Sequence, residues 1–261
     1  MNTANITSAS SNILLVGDSG THKTWFLGDI PGLFVFDFDR GMTVLRGRDI
    51  EYDIFKEAPR GVKVSKEQTA RDGLYPWAEA WAAFTLRLNQ LGAEIDVGRG
   101  PKAIALDSLT FMSDIALTKV LKDTDQTLPH QGTWGAQQQY LMTVLNQLTA
   151  WPVQLVCTAH LQRTDNDLTG VVEKLPLLTG KLAGRISAYF DEVYFCDSTV
   201  DAAGVQKFTV KTKATPVMRQ AKSRWGVPDG TETSWGAVSK FYNAAAVPPT
   251  PKAVLPPARK S

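Results

Sequence analysis

Eight consecutive residues, Gly17-Asp18-Ser19-Gly20-Thr21-His22-Lys23-Thr24, combine glycine, hydroxyl and amine in an order that suits one chemistry, the gripping of phosphate. The phosphate-loop pattern G-x-x-x-x-G-K-[ST] is met at every fixed position but one. A loop bent around a phosphate turns successive backbone N–H groups inward, and a helix that follows adds its positive end. In that arrangement Lys23 bridges the β- and γ-phosphates of a nucleoside triphosphate and the Thr24 hydroxyl ligates Mg²⁺. The same residues also read as a plain glycine turn ahead of a helix. His22 stands where the pattern has its last glycine, the residue used where backbone must approach a ligand closely. Histidine tolerates left-handed backbone better than most residues. The expectation is therefore a tolerated variant, its ring turned outward, with weaker nucleotide affinity.

Carboxylates follow. Ala103-Ile104-Ala105-Leu106-Asp107-Ser108 is an apolar run that delivers an acid at its end. In phosphate-loop enzymes such an acid holds Mg²⁺. Phe34-Val35-Phe36-Asp37-Phe38-Asp39 places Asp37 and Asp39 on one side of an extended chain, because side chains alternate along a strand. One of the two is expected to polarise the water that attacks a γ-phosphate; a pair of solvated strand-end acids is the alternative.

These groups need strands and helices to bring them together. Apolar runs at 12–16, 33–36, 52–55, 103–106 and 153–158 read as strands, the first stopping at Gly17 as buried parallel strands do. Between them lie a short helix over 23–30, a helix carrying Trp77, Trp81, Phe84, Leu88 and Leu91, another over 110–121, and one carrying Leu141, Val144, Leu145 and Leu148. The three-to-four spacing marks the core face of each helix. Residues 122–133 read as a loop. Residues 161–180 have no clear period and read as a long loop, of the kind usually functional or disordered. Two antiparallel strands are expected at 192–196 and 207–213. The sum is an α/β fold: a mostly parallel sheet flanked by helices, with an antiparallel extension.

A glycine loop, a strand closing in acid-x-acid, an apolar strand closing in Asp-Ser, and a further strand ending in a polar residue together resemble the RecA-like P-loop ATPase core. More closely, the chain is similar to the short phage RecA-like ATPases, a group that includes single-strand annealing proteins. The phrases that carry this are GDSGTHKT, VFDFDRG, AIALDSLT, the Trp134-Gly135 helix start, WPVQLVCTAH, GKLAGRISAYFDEVYF and KSR, spread over residues 12–224. The resemblance implies ATP and Mg²⁺ in the loop, with Gly17 to Thr24 around the phosphates and Thr24 and Asp107 at the metal. It puts Asp39 where the family has a water-activating glutamate. An aspartate there is one methylene shorter, so hydrolysis is expected to be slow or to need a tighter closure. His160 falls where the family senses the γ-phosphate; a strand-end imidazole bonded to backbone is the alternative. Gln162 and Arg163 correspond to a DNA-contacting loop, and the loop around His130 lies near a second. Lys222 and Arg224 match a late basic motif that reaches the nucleotide of a neighbouring subunit. The implied partners are single-stranded DNA and further copies of the chain in a ring or filament, for recombination or strand annealing.

Composition sets the outer limits. With 261 residues and 43% hydrophobic content the chain has ample material for a core, which excludes global disorder. The expected division is a flexible start at 1–11, one ATPase domain over 12–246 and a disordered proline-rich basic tail at 247–261 that recruits a replication or recombination partner. The net charge of +2 hides a split: residues 205–261 carry ten Lys or Arg against two acids, leaving −6 for the rest. Such asymmetry points the basic part at an anionic partner. Cys157 and Cys196 sit in apolar runs and read as buried thiols of a reducing compartment. With three histidines and no CxxC, a zinc site is not expected. No signal peptide and no membrane span are read, so the expected location is the cytoplasm. Two other functions remain open: a small-molecule kinase with Arg224 and its neighbours as a lid, and a weakly hydrolysing assembly or loading factor, for which His22 and the short Asp39 speak.

Overall fold

The apolar runs become strands because both of their faces are covered. Ile13, Leu14, Leu15 and Val16 have no exposed surface, and alternation sends Leu14 and Val16 to one side of the sheet and Ile13 and Leu15 to the other. The computed structural model describes residues 11–55, 78–166 and 170–244. Its elements run β1 (Asn12–Gly17), α1 (Lys23–Leu27), β2 (Leu33–Asp37), a 3₁₀ turn (Gly41–Leu45), β3 (Glu51–Ile54), α2 (Ala78–Asp96), β4 (Ala103–Asp107) and α3 (Leu109–Asp123). They continue as α4 (Gln131–Ala150), β5 (Gln154–Asn166), β6 (Val171–Pro176), α5 (Leu182–Arg185), a 3₁₀ turn (Ile186–Tyr189), β7 (Glu192–Val200), β8 (Gln206–Lys211), β9 (Thr231–Glu232) and α6 (Trp235–Ala244).

The strand order is β3-β2-β4-β5-β1-β7-β8-β9. From β3 to β7 every pairing is parallel, and β8 and β9 extend the sheet antiparallel. The expected α/β fold, with its mostly parallel sheet and antiparallel extension, is the one observed. One layer is formed by α2, α3 and α4, whose Phe84, Leu88, Met112, Leu141 and Leu145 are buried against Leu14, Phe36 and Leu106. The other is formed by α1 and α6, where Phe26, Leu27 and Val238 meet Ile13, Val35 and Val156. Parallel strands all point one way. The carboxyl ends of β1, β2, β4 and β5 therefore share one edge of the sheet, which is where open α/β sheets take their ligands.

One expected element is different. Residues 161–180 are largely a hairpin rather than a loop: β5 runs on past the sheet to Asn166 and β6 returns antiparallel, from Leu161 opposite Pro176 to Asn166 opposite Val171. Backbone pairing holds this arm while much of its side-chain surface stays exposed, so it left no apolar period in the sequence. His130, expected in a loop, caps α4: its Nδ1 accepts the Gly132 N–H at 2.9 Å, and the Thr133 hydroxyl oxygen accepts the His130 N–H at 2.7 Å. Trp77, residues 1–10 and the tail at 247–261 lie outside the described residues.

Candidate functional site

Gly17 ends β1 in a space that admits nothing larger. A Cβ there would lie 2.5 Å from Thr21 Oγ1 and 2.9 Å from the Cys196 carbonyl. The chain then turns, with Thr21 Oγ1 donating to the Asp18 carbonyl at 2.8 Å, and enters α1 at Lys23. His22 takes the left-handed conformation at φ 64°, which the glycine of the pattern would adopt freely. Its ring points away from the loop and stacks on Phe208 of β8, centroids 3.3 Å apart and planes 14° off parallel. Burial holds the His22 imidazole below its ordinary pKa, against the pull of Glu232.

Lys23 is buried and folds back over the loop, its Nζ donating to the Gly17 carbonyl at 2.9 Å and the Asp18 carbonyl at 2.8 Å. Burial lowers its pKa, and the carboxylates of Asp107, Asp39 and Asp18 oppose the shift. Thr24 Oγ1 donates to Asp107 Oδ2 at 2.8 Å, and Thr158 Oγ1 donates to Asp107 Oδ1. Burial, with the Asp39 charge nearby, pushes the Asp107 carboxyl up to about 6. The two strand-end acids of β2 separate in role. Asp37 is fully buried, and its Oδ1 accepts the N–H groups of Asp39, Arg40 and Gly41 at 3.2, 2.7 and 3.1 Å; it fastens the 3₁₀ turn. Asp39 is the acid that reaches the cavity.

Asp39 Oδ1 is buried with no hydrogen-bond partner, and Oδ2 lies 3.8 Å from His160 Nε2. The backbone N–H of His160 donates to Thr110 Oγ1 at 3.0 Å, and its ring meets Phe111 edge-on at 5.5 Å. Residues 19–25, Asp39, Gly41, Val44, Asp107 and His160 enclose a cavity of about 340 Å³. Thr24, Asp39 and Asp107 converge around Gly41, where a Cβ would sit 2.8 Å from Asp39 Oδ1, 3.0 Å from Asp107 Oδ2 and 3.3 Å from Thr24 Oγ1. An orphaned carboxylate oxygen beside a second carboxylate and a hydroxyl is a hard-oxygen donor set that suits Mg²⁺. Among the described residues no group of three His, Cys, Asp or Glu side chains could hold a metal by itself. A Mg²⁺ ion here would share its ligands with phosphate oxygens, as is usual for that ion.

Sequence reasoning missed several partners. Thr158 is a buried hydroxyl one register step from Asp107, since Leu106 pairs with Cys157; a threonine inside an apolar strand was its signal. Arg163 is exposed on the hairpin and grips the loop itself, its Nη1 and Nη2 lying 3.2 and 2.6 Å from the two oxygens of Asp18. That pairing holds the Asp18 carboxyl below the usual carboxylate range.

Two expected residues stand apart from the cavity. Lys222 pairs with Val193 through backbone, and its Nζ donates to the Ser187 carbonyl at 2.8 Å. Arg224 pairs with Asp191, next to Asn12 at the start of β1. Lys222 is level with Leu14 and Arg224 with Asn12, about 10 Å and about 16 Å along β1 from Gly17 at 3.3 Å per residue. Within one chain neither side chain covers the cavity. The thiols of Cys157 and Cys196 are buried as expected, and burial pushes Cys196 up to about 12.

A family model described as an AAA domain matches residues 9–225, the loop, both strand-end acids and the late basic segment included. The chain belongs to the AAA domain family. The AAA domain here is a P-loop ATPase-type domain, and nucleotide binding is the property its membership carries. Among solved structures, a KaiC-like protein from the hyperthermophilic archaeon Pyrococcus horikoshii OT3 overlays with a TM-score of 0.37 at 14% identity, covering 82% of this chain and 81% of that one. No curated protein matches the sequence. Among the described residues, no helix of this AAA domain is long and apolar enough to cross a membrane.

Proposed function

We propose that the protein binds ATP with Mg²⁺ in this cavity and hydrolyses it, slowly as a single chain and faster once copies assemble on single-stranded DNA. The observation that carries the reading is the convergence of Lys23, Thr24, Asp39, Asp107 and His160, from the ends of three parallel strands and one helix start, on a single cavity. Lys23 exchanges two loop carbonyls for phosphate oxygens. Thr24 and Asp107, already joined, hold Mg²⁺, which when bound neutralises charge on the phosphate oxygens. Asp39 orients the attacking water, and His160, beside it, faces the γ-phosphate. Backbone N–H groups of Asp18 to Thr24 cradle the rest.

Lys222 and Arg224 act in trans, completing the site of a neighbouring copy in a ring or filament. A cation brought to a phosphoryl-transfer transition state is worth roughly 10³ to 10⁵ in rate. The basic excess beyond residue 205 and the exposed hairpin with Gln162 and Arg163 support single-stranded DNA as the partner, in recombination or annealing of the phage type. The proline-rich tail is the segment we assign to a replication or recombination partner. A second reading, an assembly or loading factor that hydrolyses little, is favoured by one observation, the short Asp39 side chain that faces His160 across 3.8 Å.

ATP turnover by the full-length protein, with and without single-stranded DNA and across protein concentration, tests these together. The expected result is specific activity that rises with concentration and with DNA, and is absent in Lys23→Ala. DNA binding should weaken with salt at a log–log slope near −3 to −4 if about four to six cations touch phosphates. Retained turnover in Lys23→Ala removes the site. Turnover indifferent to DNA and concentration removes the coupling, and a complete lack of turnover with intact ATP binding selects the loading factor.

A further inference from the structure

Phosphate chemistry leaves two groups in the cavity unused. Trp25 directly follows Thr24 and keeps 39% of its surface exposed, and Val44, on the turn after β2, keeps 54%. Both line the same cavity as Lys23 and Asp107. Neither is loose. The Arg48 guanidinium lies over the indole, 5.0 Å from its centroid, and is itself tied to Asp29 and to the Gly28 carbonyl at 3.2 Å. The His22 ring, fixed by Phe208, lies 5.9 Å from the indole on centroids. Val44 is presented outward because its neighbours Met42 and Leu45 are anchored in the core.

The cavity is thus divided. Hydroxyls, the ammonium, two carboxylates and an imidazole serve a polyanion, while an indole and a valine have nothing to offer one. An occupant that satisfies both parts has a phosphate end and a flat apolar end. We propose that Trp25, with Val44 beside it, is the platform on which the base of the bound nucleoside triphosphate stacks. The inference rests on the nucleotide reading and deepens it. With the phosphates gripped by residues 17–24 and the γ end directed at Asp39 and His160, the rest of the molecule leaves over the start of α1, and Trp25 is the first residue beyond the loop. A ring held from behind by a guanidinium is pre-set, so stacking costs little ordering.

Calorimetry on the full-length protein separates the two ends of the ligand, using ATP and inorganic tripolyphosphate, each with Mg²⁺. Trp25→Ala should weaken ATP about ten-fold or more, the usual scale of base–aromatic stacking, and leave tripolyphosphate within about two-fold. Trp25→Phe, which keeps a ring, should recover most of the ATP affinity. Unchanged ATP affinity in Trp25→Ala would overturn the platform and point to an indole kept for contact with another copy. Equal losses for both ligands would overturn it as well, since that is the mark of a merely structural residue. Lys23→Ala tests the underlying reading separately: it should abolish both ligands, and retained binding of both sinks the phosphate loop whatever Trp25 does.

Discussion

Gly41→Ala should strip the protein of its Mg²⁺-dependent gain in nucleotide affinity while leaving the fold in place. The residue is not among the glycines with left-handed backbone, so alanine is conformationally acceptable and the cost is steric. The new Cβ would stand 2.8 Å from Asp39 Oδ1 and 3.0 Å from Asp107 Oδ2, where ordinary contact begins at 3.4 Å, so the oxygens must retreat by 0.6 and 0.4 Å. Asp107 has little room to do so, since Thr24 and Thr158 both hold it and it is 1% exposed. Overpacking of this size costs about 1–3 kcal/mol, or roughly 5- to 150-fold in an equilibrium constant. Calorimetric titration with ATP, once with Mg²⁺ and once with EDTA, reads the effect. Affinity in EDTA should stay within about two-fold of the parent, and affinity in Mg²⁺ should drop by about ten-fold or more. A variant with a normal melting curve and an undiminished Mg²⁺ response would refute the cradle around Gly41.

Two further outcomes follow from the geometry. In metal-free protein the Asp107 carboxyl titrates at about 6 rather than its ordinary 3.8, so its contribution to stability is full below about pH 4 and is lost as pH rises through 6. The loss is on the order of 3 kcal/mol, and melting in EDTA at several pH values should show it in the parent and not in Asp107→Asn; equal slopes would contradict the assignment. Phe208→Ala should weaken ATP binding about two- to ten-fold by freeing the His22 ring, a stack worth about 0.5–1.5 kcal/mol. In a His22→Gly background the same change should cost nothing, and additive losses would refute the coupling.

Much of the site was legible because its residues sit at strand ends. Apolar runs that stop at Gly17, Asp107 and His160 announce parallel strands whose carboxyl ends must meet, and the loop pattern names what they meet around. Spacing alone left Asp37 and Asp39 equivalent, and the family resemblance singled out Asp39. Only the fold reveals that one accepts three backbone N–H groups while the other keeps an oxygen free. The hairpin at 161–176 was opaque for a different reason: it is held by backbone pairing, and its buried β6 positions, Glu173 and Pro176, write no apolar period. The grip of Arg163 on Asp18 joins positions 145 residues apart, a distance over which neither local spacing nor composition carries a signal.

β5 has a mechanical consequence. Within four residues one continuous strand carries His160, at the floor of the cavity, and Arg163, which clasps the phosphate-binding loop from above. Because β5 is one continuous strand, no slack loop separates the hairpin arm from the cavity. A ligand that took hold of Arg163 would have to draw it away from Asp18 of the loop. Thermodynamic symmetry then demands that whatever the arm's ligand does to nucleotide affinity, the nucleotide does by the same factor in return. In that case the arm would serve as a handle on the nucleotide pocket, and the pocket as a dial on the grip of the arm.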